Sequence, residues 1–379
     1  MTDQMETELG YLERAPDVAL DVFGLRDAVV AEYRRFLEGA LSIRDSRVKA
    51  FVEAKLDEGV RWPEPWVSLN PSFAPGGWVD ELAGRHLLDR ACAEIFRPND
   101  APAKGRRGLR LYRHQVEAIE AARKGASYVL TTGTGSGKSL AYLIPIVDTI
   151  LREGRGRDGR TEAIVVYPMN ALVNSQLDEI GKFFDPEDGP VHVARYTGQE
   201  SQERRDELRV HPPDVLLTNY VMLELLLTRT EERPLVEAAS DLRFLVLDEL
   251  HTYRGRQGGD VALLVRRLRE ATSARRLQCV GTSATLSSEG TPEDRRATVA
   301  RAASRLFGSE VTPEHVIGER LARATSPFAS SDPDLLGALR EAVRSGGGPG
   351  SEDYEALRSG PLAAWIPVLH PKGVDKWWQ

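Results

Sequence analysis

The stretch "SYVLTTGTGSGKSLAYLIPIV", Ser127 to Val147, joins an apolar run to an amphipathic one through a turn dense in glycine. No other feature limits the fold so sharply. Backbone N–H groups of Gly135, Gly137 and Lys138 converge on phosphate oxygens only where side chains are absent, and a helix opening at Lys138-Ser139 adds its partial positive charge. The pattern predicts a strand, a phosphate-cradling loop over Thr132, Gly133, Thr134, Gly135, Ser136 and Gly137, and then a helix. In that arrangement Lys138 reaches the β- and γ-phosphates and the Ser139 hydroxyl ligates Mg²⁺. The strict form of the pattern has glycine where this chain has Thr132.

A second stretch, "FLVLDELHTY", Phe244 to Tyr253, runs four apolar residues into two carboxylates and a histidine. A strand buried on both faces reads as such a continuous apolar run, and this one delivers Asp248 and Glu249 to the carboxyl edge of a sheet. Ligands of open α/β sheets bind at that edge. With the phosphate loop beside them, Asp248 would hold Mg²⁺ through its water shell and Glu249 would orient or deprotonate an attacking water. One acid stays with the metal while the other faces the γ-phosphate.

Between Leu109 and Leu306, strand-like runs ("SYVLTT", "EAIVVYP", "VHVARYT", "DVLLTNY", "FLVLDE", "LQCVGTSAT") alternate with helical ones. That βαβ order predicts an α/β domain, a parallel sheet with helices on both faces. In "DVALLVRRLREA" the residues Val261, Leu264, Val265 and Leu268 fall on one helical face as core. Residues 1–97 form a mainly helical N-terminal region, with patterns around Val22–Leu41 and Val79–Phe96 separated by a segment rich in proline and glycine. Residues 98–108 read as a linker, and 307–379 as a loop-rich C-terminal segment.

Composition narrows the rest. With 41% hydrophobic and 28% charged residues, a soluble globular protein is expected, and no apolar run approaches the roughly 20 residues of a membrane helix. The net charge of −7 gives no global basic field, so a nucleic-acid site must be local. Cys92 and Cys279 have no metal-ligand spacing, and Cys279 reads as a buried, inert thiol. The polar, acidic start "MTDQMETELG" is no signal peptide, which predicts a reducing cytoplasm.

Read in order, "YRHQVEAIEAA", "TGTGSGKS", "YPMNALVNSQ", "YTGQ", "LLTNYVMLE", "DELH" and "TSATL" resemble the motifs of the first RecA-like domain of superfamily 2 DEAD/DEAH-type (DExH) helicases. The resemblance covers Leu109 to Leu306. It implies ATP and Mg²⁺ as cofactors and Gln115 as the reader of the adenine edge, with Tyr112 and Arg113 shaping that pocket. It implies that Pro168, Asn170, Gln176, Thr197, Gly198, Thr218 and Asn219 line a groove for a sugar-phosphate backbone, contacts that fix register without reading sequence. Taken singly, each of these is equally a turn or cap residue. It also implies that Ser283, Ala284 and Thr285, with His251, couple phosphate state to domain motion. The segment "TYRGRQGGDVALLVRRLRE" resembles a narrower group of bacterial DExH helicases of DNA repair and phage defence, whose four-cysteine zinc module two cysteines cannot supply.

Motors of this superfamily close a second RecA-like domain over the nucleotide, and the roughly 70 residues after Leu306 are too few for one. The expectation is therefore the N-terminal part of a larger DNA helicase, with its second domain in cis or in trans. A non-catalytic, nucleotide-gated module binding a partner is the alternative. "REGRGRDGR", Arg152 to Arg160, is expected to be a solvated loop far from the phosphate site. Trp62, Trp66, Phe73 and Trp78 are read as a clamp on a neighbouring domain, with a base-stacking platform as the other option.

Overall fold

The computed structural model describes residues 22–40, 43–57, 72–97, 108–133, 135–154, 156–283, 291–322 and 333–344. The chain divides into two compact units, residues 1–70 and 71–379. In the first, helices α1 (Val22–Ala40) and α2 (Ser46–Asp57) are described. Asp45 starts α2 by accepting the N–H groups of Arg47 and Val48, two of the donors that a helix N-terminus leaves without partners.

The second unit begins with β1 (Pro75–Trp78), α3 (Val79–Gly84), α4 (Arg90–Ile95), β2 (Arg110–Tyr112), α5 (Arg113–Arg123), β3 (Tyr128–Thr131) and α6 (Leu140–Arg152). It continues through β4 (Ala163–Tyr167), α7 (Asn170–Gly181), β5 (Val193–Tyr196), α8 (Gln202–Val210), β6 (Val215–Asn219), α9 (Tyr220–Thr228) and α10 (Arg233–Ala238). β7 (Phe244–Leu247), α11 (Gly255–Ala271), β8 (Gln278–Ser283), α12 (Pro292–Phe307), β9 (Val316–Gly318) and α13 (Pro333–Arg344) complete it. The helical pattern over Val79–Phe96 is thus two short helices, because His86 takes a left-handed backbone and Asp89 caps a new start.

All six strands expected from the alternation form, and they lie parallel in the order β5-β6-β4-β7-β8-β3-β9. The seventh, β9, is the three-residue run "VIG" beyond Leu306, paired with β3. Alternate strand residues enter two cores. Tyr128, Leu130, Val165, Tyr167, Val246 and Val280 join α5, α6 and α7 on one face. Val129, Ile164, Val166, Leu245, Leu247 and Cys279 join α9, α11 and α12 on the other. The α11 stripe Val261, Leu264, Val265 and Leu268 is buried as its spacing predicts. Cys279 is fully buried, and that burial pushes its thiol up to about 11, which keeps it unreactive.

β1 pairs antiparallel with β2 outside the main sheet. Phe73 sets its ring 5.1 Å from Tyr112 and 5.5 Å from His114, and Arg110 sits over Trp78. These two aromatics pack within the second unit, against residues of β2 and α5; Trp62 and Trp66 lie outside the described residues. Below them the buried Asp148 carboxylate of α6 accepts the Asp89 N–H and pairs with Arg152 Nε at 3.0 Å, while Arg152 also donates to the His86 carbonyl. This fastens α3 and α4 to the helix that follows the phosphate loop. In the basic loop, Arg157 gives its N–H to Asp214 and its guanidinium to the Glu187 and Gly189 carbonyls, at the amino edge of the sheet. Among the described residues no helix is long and apolar enough to cross a membrane.

Replacing Asp148 with Ala removes a buried carboxylate, strands the Asp89 N–H and leaves Arg152, among the described residues, with its bond to the His86 carbonyl alone. Urea unfolding should register a loss of about 2–4 kcal/mol, the scale for breaking a buried charge pair.

Candidate functional site

Parallel register decides which loops meet. Leu247 lies opposite Gly281, so Asp248 arrives beside Thr282 and Glu249 beside Ser283. Thr131 lies opposite both Ser283 and Gly318, which brings the phosphate loop to the same place. The carboxyl ends of β7, β8, β3 and β9 thus form one half of the edge. Those of β5, β6 and β4 form the other half.

In the phosphate loop Gly135 and Gly137 have φ of 75° and 69°, a left-handed backbone that favours glycine. A Cβ on Gly137 would also fall 2.5 Å from Gln115 Nε2. Thr132, in place of the strict glycine, is fully buried, and its hydroxyl meets the Ser136 hydroxyl at 2.7 Å. A side-chain bond across the loop replaces the freedom that glycine would give. Lys138 and Ser139 form a turn before α6 starts at Leu140. Thr134 lies outside the described residues.

Lys138 Nζ is buried, makes no hydrogen bond among the described residues, and stands 3.6 Å from Glu249 Oε1. Glu249 has φ 51°, so its backbone turns left-handed directly after the strand. Its N–H donates to Thr282 Oγ1 at 3.0 Å, and that hydroxyl in turn donates to Asp248 Oδ1. Burial pushes the Asp248 carboxyl above its ordinary range; the Thr282 hydroxyl and Lys138 oppose the shift, and Glu249 adds to it. His251 Nδ1 lies 3.1 Å from Glu249 Oε2 and 3.4 Å from Ser283 Oγ. Ser283 therefore touches the acidic box through His251. Thr282, absent from the residues expected from sequence, holds both acids. Its place as the first residue of "TSATL", beside the strand end that carries the acids, was the available signal. Ala284 and Thr285 lie outside the described residues.

Gln115 is 2% exposed. Its Oε1 accepts the Tyr112 N–H and its Nε2 donates to the Gly137 carbonyl, both at 2.8 Å. One N–H and one lone pair are left for a ligand. His114 is buried beside it and its Nε2–H donates to the Ser136 carbonyl, 2.8 Å away, and burial lowers its pKa. Arg113 turns to Glu117 on its own helix.

On the other half of the edge, Asn219 caps α9 through the Met222 N–H and donates to Asn170 Oδ1, joining β6 to α7. Pro168 and Gln176 are half-buried nearby. Three further residues expected in the groove have polar groups engaged within the chain. Thr218 is completely buried, and its hydroxyl is bonded to the Tyr196 carbonyl between strands, so its side chain presents no surface to a groove. The Thr197 N–H, the Thr197 hydroxyl and the Gly198 N–H all donate to the Glu200 carboxylate, which Arg195 also contacts at 3.2 Å. An internal carboxylate holds the donors that a phosphate would use.

Residues 112–292 match the family model described as DEAD/DEAH box helicase. That match takes in 181 of the chain's 379 residues, from Tyr112 in the "YRHQ" segment to Pro292 beyond "TSATL". It is 26% identical over 383 aligned residues to Druantia protein DruE of Escherichia coli, covering 70% of this chain and 21% of DruE. It is 31% identical over 190 residues to YprA of Bacillus subtilis, an uncharacterized ATP-dependent helicase, covering 50% of this chain and 24% of YprA. The chain thus spans about a quarter or less of either relative. The helicase MrfA, solved with DNA and AMPPNP, shares the fold with a TM-score of 0.53 at 23% identity, over 77% of this chain and 38% of MrfA.

A carboxyl whose pKa is raised on folding makes the native state lose stability as pH rises from the unfolded value through the folded one. Asp248→Asn should therefore raise thermal stability at pH 7. The gain should vanish below about pH 3, where an aspartic acid of ordinary pKa is mostly protonated in the unfolded state as well; an equal gain there and at pH 7 would refute the burial argument.

Proposed function

We propose that this chain provides the ATP-binding motor domain of a DNA helicase or translocase, coupling ATP hydrolysis to strand binding and movement. The observation that carries the reading is Lys138: a buried ammonium without a hydrogen bond, set between a glycine turn and two carboxylates. Such a group fits a triphosphate tail and Mg²⁺, which together would satisfy the lysine and both acids. The similarity to named ATP-dependent helicases supports the same chemistry.

In this reading Lys138 and the loop N–H groups bind the phosphates of the substrate, and Gln115 uses its remaining N–H and lone pair on the adenine edge. Ser139 and Asp248 would hold Mg²⁺, which when bound neutralises charge on the phosphate oxygens. Glu249 orients the attacking water and takes its proton, and its left-handed backbone aims the carboxylate toward Lys138. Asn170, Asn219, Pro168 and Gln176 contact the sugar-phosphate backbone. His251 and Ser283 link the acids to β8. A second RecA-like domain, in cis or in trans, supplies the arginine finger, a contribution of ~10³–10⁵ in rate in comparable systems. DNA is favoured over RNA by the resemblance of the segment after "DELH" to DNA-repair and defence helicases. The cytoplasm is the compartment in this reading.

ATP turnover by the purified chain, with single-stranded DNA, with RNA and without either, tests the proposal. DNA should stimulate turnover, and Glu249→Gln should remove that stimulation while ATP still binds. Tight binding with no turnover under any nucleic acid would favour the non-catalytic module. Lys138→Ala should abolish ATP binding at native circular dichroism; unchanged affinity in that variant would sink the phosphate-loop assignment.

A further inference from the structure

The segment that leaves the sheet after β9 is tied to the nucleotide site at several points. Because Gly318 pairs with Thr131, Glu319 emerges beside the phosphate loop, and its Oε2 accepts the Gly133 N–H at 3.1 Å. Arg320 Nε pairs with Glu117 at 3.0 Å, on the helix that carries Gln115. Leu321 then bridges antiparallel to Phe73, with the Ala74 N–H donating to the Arg320 carbonyl and the Ala322 N–H to the Ser72 carbonyl. Phe73 in turn lies against Tyr112 and His114, and His114 bonds back to the loop at Ser136. The path is a closed ring. It starts and ends on the phosphate loop.

We propose that Glu319 is a positioning residue that occupies the phosphate loop as an internal anion, so that nucleotide binding displaces it and loosens the Glu319–Ala322 segment from Ser72–Ala74. The inference rests on the phosphate-loop reading and adds its regulation. A phosphate bound by the loop brings negative charge beside the Glu319 carboxylate, and like charges that close disfavour each other. In this proposal the nucleotide moves Glu319. Its neighbours Arg320 and Leu321 carry that movement to the segment through which the chain leaves the sheet. A tie serving only structure would be insensitive to the charge, since a glutamine carbonyl accepts the same N–H.

The test is an AMPPNP·Mg²⁺ titration with hydrogen exchange read at the Ala74 and Ala322 amides. In the wild type, nucleotide should raise exchange at both amides. Glu319→Gln keeps the acceptor and removes the charge, and should bind nucleotide about 2- to 5-fold more tightly, the scale of one partly exposed charge contact. Glu319→Ala should show high exchange at both amides with or without nucleotide. Nucleotide binding without a change in exchange, or equal affinity in Glu319→Gln and wild type, overturns the proposal and leaves the phosphate-loop reading standing. A wild-type chain that binds no AMPPNP, with Lys138→Ala identical to it, overturns both.

Discussion

Seven parallel strands ending at nearly the same height are the constraint on which this molecule depends. The ladder fixes Asp248 against Thr282 and Thr131 against Ser283 to within a residue, and a slip of one position would turn every side chain to the opposite face. Both faces are lined by large apolar residues, Tyr128 and Tyr167 on one and Leu245 and Leu247 on the other, so a slip would exchange side chains between two close-packed cores of different shape. Rigid strands thus deliver loops whose own backbones are irregular. The left-handed glycines and the turned Glu249 are tolerated because everything beneath them is fixed.

Within that frame the two halves of the edge are handled alike. The phosphate loop and the Thr197-Gly198 turn both expose backbone N–H donors, and in both cases a carboxylate from the chain itself engages them, Glu319 in one and Glu200 in the other. The two acids differ in burial. Glu200 is 9% exposed and is also held by Arg195, whereas Glu319 is exposed and held at one point. The Glu200 turn is therefore a stable element of the sheet edge. The Glu319 contact is one that a competing anion can reach.

Much of this was legible in sequence because local pattern and long-range packing agree. Continuous apolar runs specify strands buried on both faces, glycines specify the loop, and the α11 stripe specifies its core face. What escaped notice was decided by partners distant in the chain. β9 has only three residues and becomes a strand because β3 offers it an edge. Thr218 looks like a polar strand end and is buried because β5 covers it. Thr282 and Glu319 act on residues more than thirty and more than a hundred and eighty positions away, and no periodicity records such a contact.

The backbone at Glu249 carries a consequence of its own. A non-glycine residue at φ 51° holds a conformation that asparagine, aspartate and glycine adopt readily and that valine, isoleucine and threonine resist. Replacement at this position is therefore filtered by shape before it is filtered by charge. A survey of all nineteen substitutions would divide first into chains that fold with the turn intact and chains that distort it, and only the former would report on the carboxylate. The acid and the turn that presents it are inherited together, as a single unit of geometry.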